Sequence, residues 1–256
     1  MLTAIDTHCH IHYGPKENLA HNGLSKIMQE GNLYTAYPDQ LMKIRAGAHI
    51  GKVFASPFDG VLDCQRCEQT NEDMLRFTEE YEDLYQWVVM DPRQPEAYRQ
   101  AEQMLPDKKV LGIKIHPTYH DYDILELGDE LFAFAAERKA MVLMHPQHIT
   151  QMHQLTDKYP DMKLMIAHLS SEEYIEGAKK AKHGNIYVDT SARGVALNHI
   201  LEYAVEQLGS EKILFGTDTY APSFAYPRVA LADIPYEDKE NILFKNALRL
   251  FPKAFR

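Results

Sequence analysis

An apolar lead-in near the start of the chain ends in Ile5-Asp6-Thr7-His8-Cys9-His10. If residues 2–7 form a strand that runs on through this motif, His8 and His10 face the same way, because side chains alternate along a strand. Neutral imidazole is the commonest protein ligand for zinc and suits other first-row metals, so the pair is half of a metal site. Other polar residues recur at one kind of place, the end of an apolar run. Lys114 and His116 close Val110–His116, His145 closes Met141–His145, His168 closes Lys163–His168, and Asp218 follows Lys212–Gly216. A divalent cation held by three or four ligands, with one position open, lowers the pKa of a bound water to about 7 and polarises a carbonyl. A carboxylate such as Asp218 can take that water's proton. His168, and His116 if it faces the same place, can hydrogen-bond a developing oxyanion or protonate a leaving group.

That chemistry requires elements that bring these residues together. Short apolar runs alternate with longer amphipathic stretches from residue 50 onward. The predicted strands are Leu2–His8, Ile50–Ala55, Tyr85–Met90, Val110–His116, Met141–His145, Lys163–His168, Ile186–Thr190 and Lys212–Gly216. Helical patterns lie near Thr70–Glu82, Pro95–Leu105, Gly128–Lys139, Ile149–Lys158, Ser171–Lys182, Ala196–Leu208 and Tyr236–Leu250. Strand followed by helix, repeated, predicts parallel βα units of an α/β protein. Strand cores such as Met141-Val142-Leu143-Met144 are apolar throughout, as expected for strands covered on both faces. Eight such units close most simply into a (β/α)8 barrel, whose site is built at the carboxyl ends of its strands. A doubly wound open sheet is the alternative, but no G-x-G-x-x-G follows the first strand. The chain reads as one domain over residues 1–256, with a long first connection at 13–48 and a long irregular loop at 219–235.

Taken in order, His8-Cys9-His10, Gly112-Ile113-Lys114-Ile115-His116-Pro117, Leu143-Met144-His145-Pro146, Ile166-Ala167-His168-Leu169, Val188-Asp189-Thr190-Ser191 and Leu214-Phe215-Gly216-Thr217-Asp218 resemble the amidohydrolase superfamily. The branch they resemble is the amidohydrolase-related one (amidohydrolase 2), and the resemblance extends to the ending Asn246-Ala247-Leu248-Arg249-Leu250-Phe251. It implies a TIM barrel of the metal-dependent hydrolase type. It also implies that His8, His10, His145 and Asp218 hold a divalent metal, most often zinc, with one ion favoured and two the alternative. His168 then ligates a second metal or contacts substrate and water. Lys114 falls where some members carry a carboxylated lysine bridging two metals; in this branch it ranks first as a substrate contact. His116, Arg193 and Tyr220, the last two following the seventh and eighth strands, are further substrate-binding candidates. The activity expected is cleavage of an amide, ester or lactone bond in a small polar substrate, with Asp218 and His168 catalytic. The alternative is non-oxidative decarboxylation of a small aromatic or dienoic acid, with His168 and Lys114 gripping carboxylates.

Each of these residues also has a purely structural reading. His8 and His10 could alternate by chance on an edge strand, at the cost of leaving polar groups desolvated. Asp218 could cap a helix, Lys114 could reach solvent along its stem, and His116 precedes a proline that holds it extended. The 27 basic and 37 acidic residues give a formal charge of −10, which works against nucleic acid as a partner. A related deoxyribonuclease type of barrel also opens with His-x-His, but it carries a glutamate-glycine pair that this chain lacks where Gly112-Ile113-Lys114 stands. A non-catalytic metal-binding protein is the last alternative. No apolar run approaches the roughly 20 residues that would span a bilayer, and no basic leader precedes the first strand. A cytoplasmic location, a small-molecule substrate and the homodimer common among barrels are therefore expected. Three cysteines do not make a disulfide framework in a chain of this length. Cys64-Gln65-Arg66-Cys67 has redox or half-zinc spacing, but no second pair accompanies it, and the polar run after it reads as the start of an exposed helix.

Overall fold

The computed structural model describes residues 3–11, 38–191, 195, 199–218 and 222–255. The apolar runs form eight strands: β1 (Ala4–Ile11), β2 (Ile50–Pro57), β3 (Leu84–Val89), β4 (Val110–Ile115), β5 (Met141–Met144), β6 (Lys163–Ile166), β7 (Ile186–Asp189) and β8 (Ile213–Leu214). They pair in parallel and in sequence order. Backbone bonds then carry the end of β8 back to β1. Thr7 N–H donates to Phe215 O at 2.9 Å, and the N–H groups of Thr217 and Asp218 donate to His8 O at 3.0 and 2.8 Å. The result is the nearly closed TIM-like barrel that the alternation of elements predicts.

The barrel interior is filled rather than hollow. Phe54, Trp87, Leu143, Met165 and Leu214 pack together inside it, and the Trp87 indole N–H donates to Thr7 O at 3.0 Å. Gly112 makes room for that indole, since a Cβ there would lie 2.6 Å from the ring and 2.4 Å from Met141 O. A second, larger apolar layer joins the outer faces of the strands to helices such as Ile124–Glu137, through Leu131, Phe132 and Ala135. This apolar filling excludes water from beneath the polar strand ends.

Several boundaries differ from the sequence reading. β8 is only two residues long, and the helix expected at Ile149–Lys158 divides into a 3-10 turn, Ile149–Gln151, and a short helix, His153–Thr156. The loop expected at 219–235 contains a helix, Pro222–Ala230, with Pro227 inside it. An internal proline forfeits a backbone hydrogen bond. Burial of Ala225, Tyr226 and Val229, and the bonds from Arg228 to Glu202 at 2.7 and 3.0 Å, offset that loss. The long first connection ends in a helix, Pro38–Gly47, while residues 12–37 lie outside the described residues.

Candidate metal centre

β1 positions the first two histidines through an irregularity. Thr7 Oγ1 reaches Met165 of the barrel interior, yet His8, the next residue, also turns inward to meet Lys114. Regular alternation forbids this, and the change of parity coincides with the register shift between Asp6 and Cys9 against β2. His10 then follows on the side of His8, with ring centroids 5.1 Å apart. Asp6 fastens this stretch to the segment after β8. It accepts from Thr217 Oγ1 at 2.6 Å, Thr217 N–H at 3.1 Å and His8 N–H at 3.2 Å. Burial pushes its carboxyl up to about 8 against those bonds.

Among the described residues, the donor atoms of His8, His10 and Asp218 lie within 4.8 Å of one another. His10 Nε2 is 3.1 Å from Asp218 Oδ1, and His8 Nε2 is 3.7 Å from the same oxygen. The other ring nitrogens are held from behind. His8 Nδ1 lies 2.8 Å from Asp189 Oδ2, and His10 Nδ1 lies 2.7 Å from Ser56 Oγ, whose proton goes to Cys9 O at 3.5 Å. Both rings therefore carry their proton on Nδ1 and present Nε2 lone pairs toward Asp218. Burial, reinforced by the Lys114 charge, pushes both imidazoles below their ordinary range and keeps them neutral. Two lone pairs converging on one carboxylate oxygen repel each other unless a cation lies among them. A carboxylate behind one ligating imidazole is also the usual way such a ligand is oriented. The donor set therefore fits a divalent metal.

Lys114 is fully buried, with Nζ 3.2 Å from His8 Nε2. Burial pulls its ammonium down to about 8, while Asp218 and Asp189 counteract part of the shift. His145 closes β5 outside the His8-His10-Asp218 trio, with its ring stacked 3.8 Å from His116 and set edge-on to His168 at 5.1 Å. His116 is at once a helix cap and a wall of the mouth. Its Nδ1 accepts from Tyr119 N–H at 3.1 Å, and its ring lies between His145 and the exposed Tyr119, which is stacked at 4.1 Å. Burial pushes His145 down to about 2 and His168 down to about 4, so both are neutral near pH 7. Phe58 stacks on His10 at 5.3 Å and adds a further flat face. Arg193 and Tyr220 lie outside the described residues.

Sequence reasoning assigned no role to Asp189, Ser191 or Ser56. Asp189 Oδ1 accepts from His168 N–H at 3.0 Å, from Ser191 N–H at 2.9 Å and from Ser191 Oγ. Burial alone would raise the Asp189 carboxyl, but the His8 ring and these bonds outweigh it and hold the group ionised, well below the usual range. His8, His168 and Asp189 form a second trio of donor atoms within 4.8 Å. That trio is already joined by hydrogen bonds through Ser191, so a second cation there would have to displace protons.

A family model described as amidohydrolase matches residues 5–253. No curated protein matches the sequence. Among solved structures, a dihydroxybenzoic acid decarboxylase from Polaromonas sp. JS666, with bound manganese and 2-nitroresorcinol, superposes with a TM-score of 0.76 at 14% identity, covering 98% of this chain and 97% of that one. A 5-carboxyvanillate decarboxylase from Novosphingobium aromaticivorans, complexed with manganese and 4-hydroxy-3-methoxy-5-nitrobenzoic acid, gives 0.76 at 14% identity, covering 98% and 96%. A candidate 2-pyrone-4,6-dicarboxylic acid hydrolase from Pseudomonas putida gives 0.68 at 17% identity, covering 99% and 98%. At these identities the likeness is one of fold. No described helix is long and apolar enough to cross a membrane.

Proposed function

This chain belongs to the amidohydrolase 2 family, and on that premise we propose that it is a metal-dependent, non-oxidative decarboxylase of a small aromatic acid. The observation that carries the reading is Lys114, an ammonium buried at the centre of the mouth beside His8. A buried cation is costly, Asp218 and Asp189 offset only part of that cost, and a substrate carboxylate offsets more of it. The rings of Tyr119, His116 and His145 stack in one column and, with Phe58 stacked on His10, give the site an aromatic lining that suits a planar substrate. Two of the fold's relatives described above act on hydroxylated aromatic acids and hold manganese, in keeping with that shape and charge.

In this reading His8, His10 and Asp218 would hold one divalent cation, with His145, the residue after β5, as the fourth ligand. The cation supplies a Lewis acid that binds substrate oxygen atoms and spreads their negative charge. Lys114 orients the carboxylate, and the stacked rings keep water from the ring's face. When the bond to the carboxylate carbon breaks, carbon dioxide leaves and the electron pair stays on the ring carbon, which must then receive a proton. Asp218 takes a proton from a substrate hydroxyl and hands it to that carbon. Hydrolysis of a lactone or amide is the second reading. It rests on Asp218, a carboxylate 3.1 Å from His10 Nε2 that can serve as base for a water in the site, and the same cation serves both.

Elemental analysis for manganese and zinc, combined with carbon dioxide release from a panel of hydroxybenzoates and with pyrone-dicarboxylate hydrolysis, tests this reading. About one metal per chain is expected, lost in His10→Ala and Asp218→Asn. Lys114→Met is expected to keep the metal and to raise KM for the acid by about tenfold or more, the scale of a lost charge-assisted bond. Hydrolysis without any carbon dioxide release would replace the first reading by the second. A stoichiometric metal retained in His10→Ala would overturn both.

A further inference from the structure

We infer that Ser191 is a positioning residue whose single hydroxyl proton, committed to Asp189, fixes the protonation pattern of His8 and His168 together. Ser191 Oγ lies 2.7 Å from His168 Nδ1 and 3.0 Å from His8 Nδ1, and it also contacts Asp189 Oδ1. A hydroxyl has one proton and two lone pairs. The Asp189 carboxylate is an acceptor only, so the Ser191 proton goes to it, and the two lone pairs of Oγ must accept from both imidazoles. Neutral His8 and His168 are therefore both protonated on Nδ1.

For His8 the outcome is secured twice, because Asp189 Oδ2 also accepts from Nδ1 at 2.8 Å. For His168, Ser191 is the determinant. Its backbone is set by the His168 N–H bond to Asp189 Oδ1 at 3.0 Å and a left-handed φ of 71°, and its ring stacks on His8 at 5.2 Å and meets His145 edge-on at 5.1 Å, contacts that place the ring without choosing its tautomer. The consequence is chemical. His168 offers a lone pair at Nε2 in the resting protein, so it can accept a proton from a substrate hydroxyl or water. It acts as a donor to an oxyanion or leaving group only after taking up that proton.

The test is long-range 15N–1H correlation spectroscopy on histidine-labelled, metal-free protein at neutral pH, which distinguishes the two tautomers directly. Wild type is expected to show His8 and His168 protonated on Nδ1. Ser191→Ala is expected to release His168 into a mixture or into the Nε2–H form while His8 stays unchanged, and Ser191→Thr, which keeps the hydroxyl, is expected to restore the wild-type pattern. Circular dichroism establishes that each variant is folded. An Nε2–H His168 in wild type, or a His168 signal indifferent to Ser191→Ala in folded protein, would overturn the inference. Because the readout needs neither metal nor substrate, its failure is separate from failure of the decarboxylase reading.

Discussion

His168 and Asp218 adopt left-handed backbone conformations, with φ of 71° and 55°, although neither is glycine. Each costs of order 1–2 kcal/mol, which the surroundings must over-determine. At Asp218 the backbone N–H donates to His8 O, and at His168 it donates to Asp189, so the same groups that bend the chain also aim the rings. His168 follows β6 and Asp218 follows β8, so this strain sits at two strand ends on either side of β7, both turned to the mouth. The Cys64-x-x-Cys67 pair shows the opposite. Cys67 is buried, its thiol donates to Gly60 O at 3.4 Å, and burial pushes its pKa well up. Both effects suppress the thiolate that would react. Iodoacetamide at pH 8 is therefore expected to modify half-buried Cys64 in the native protein and to reach Cys67 only on unfolding, read by peptide mass spectrometry. Rapid native labelling of Cys67 would restore a redox reading of the pair.

At the scale of elements, most of what positions the site is legible in the sequence, because strand ends are marked by where apolar runs stop. Lys114, His145, His168 and Asp218 all follow from that rule, as does the parallel barrel that gathers them. Asp189 ends the apolar run of β7 and falls under the same rule, but its role does not: it meets His8 across 181 residues of chain and His168 across 21, so no spacing announces the pairing, and only the closed ring of strands makes it, with Ser191 alongside. His8 and His10 face one way as alternation requires, but the register shift that lets Thr7 and His8 both point inward has no sequence signal. The helix Pro222–Ala230 was hidden by Pro227, since its stability comes from tertiary contacts and not from propensity. Gly112 in β4 tests how tightly these strands are filled. A methyl group there would meet the Met141 carbonyl oxygen at 2.4 Å and the Trp87 ring at 2.6 Å. Gly112→Ala is expected to lower stability by about 1–3 kcal/mol, the usual cost of overpacking, measured by urea denaturation. An unchanged midpoint would mean that the indole yields freely and that the floor beneath Lys114 is not rigid.

At the scale of the whole molecule, the barrel must hold together two late connections that flank the mouth, those after β7 and after β8. The clasp between them is Arg228. Its Nε donates to Val195 O at 2.9 Å, and its two terminal nitrogens grip both oxygens of Glu202 at 3.0 and 2.7 Å. Glu202 lies on the helix Ile200–Leu208 and Arg228 on Pro222–Ala230, so the pair joins elements that are separate along the chain. Burial by itself raises the Glu202 carboxyl, but the Arg228 bonds prevail and hold it below its ordinary value of 4.5. A carboxyl lowered on folding binds fewer protons in the native than in the unfolded state. Its contribution is therefore complete above about pH 4.5 and is lost as pH falls through the lowered value. Glu202→Gln is expected to cost about 1 kcal/mol at pH 7, the upper end for a partly exposed, two-point pair. The gap between wild type and variant should narrow below pH 4.5, giving the variant the flatter acid limb in denaturation curves taken from pH 7 to pH 3. A gap that stays constant across that range would mean that Glu202 works through hydrogen bonding and packing that do not depend on its charge, and the two connections would then be held at the mouth independently of pH.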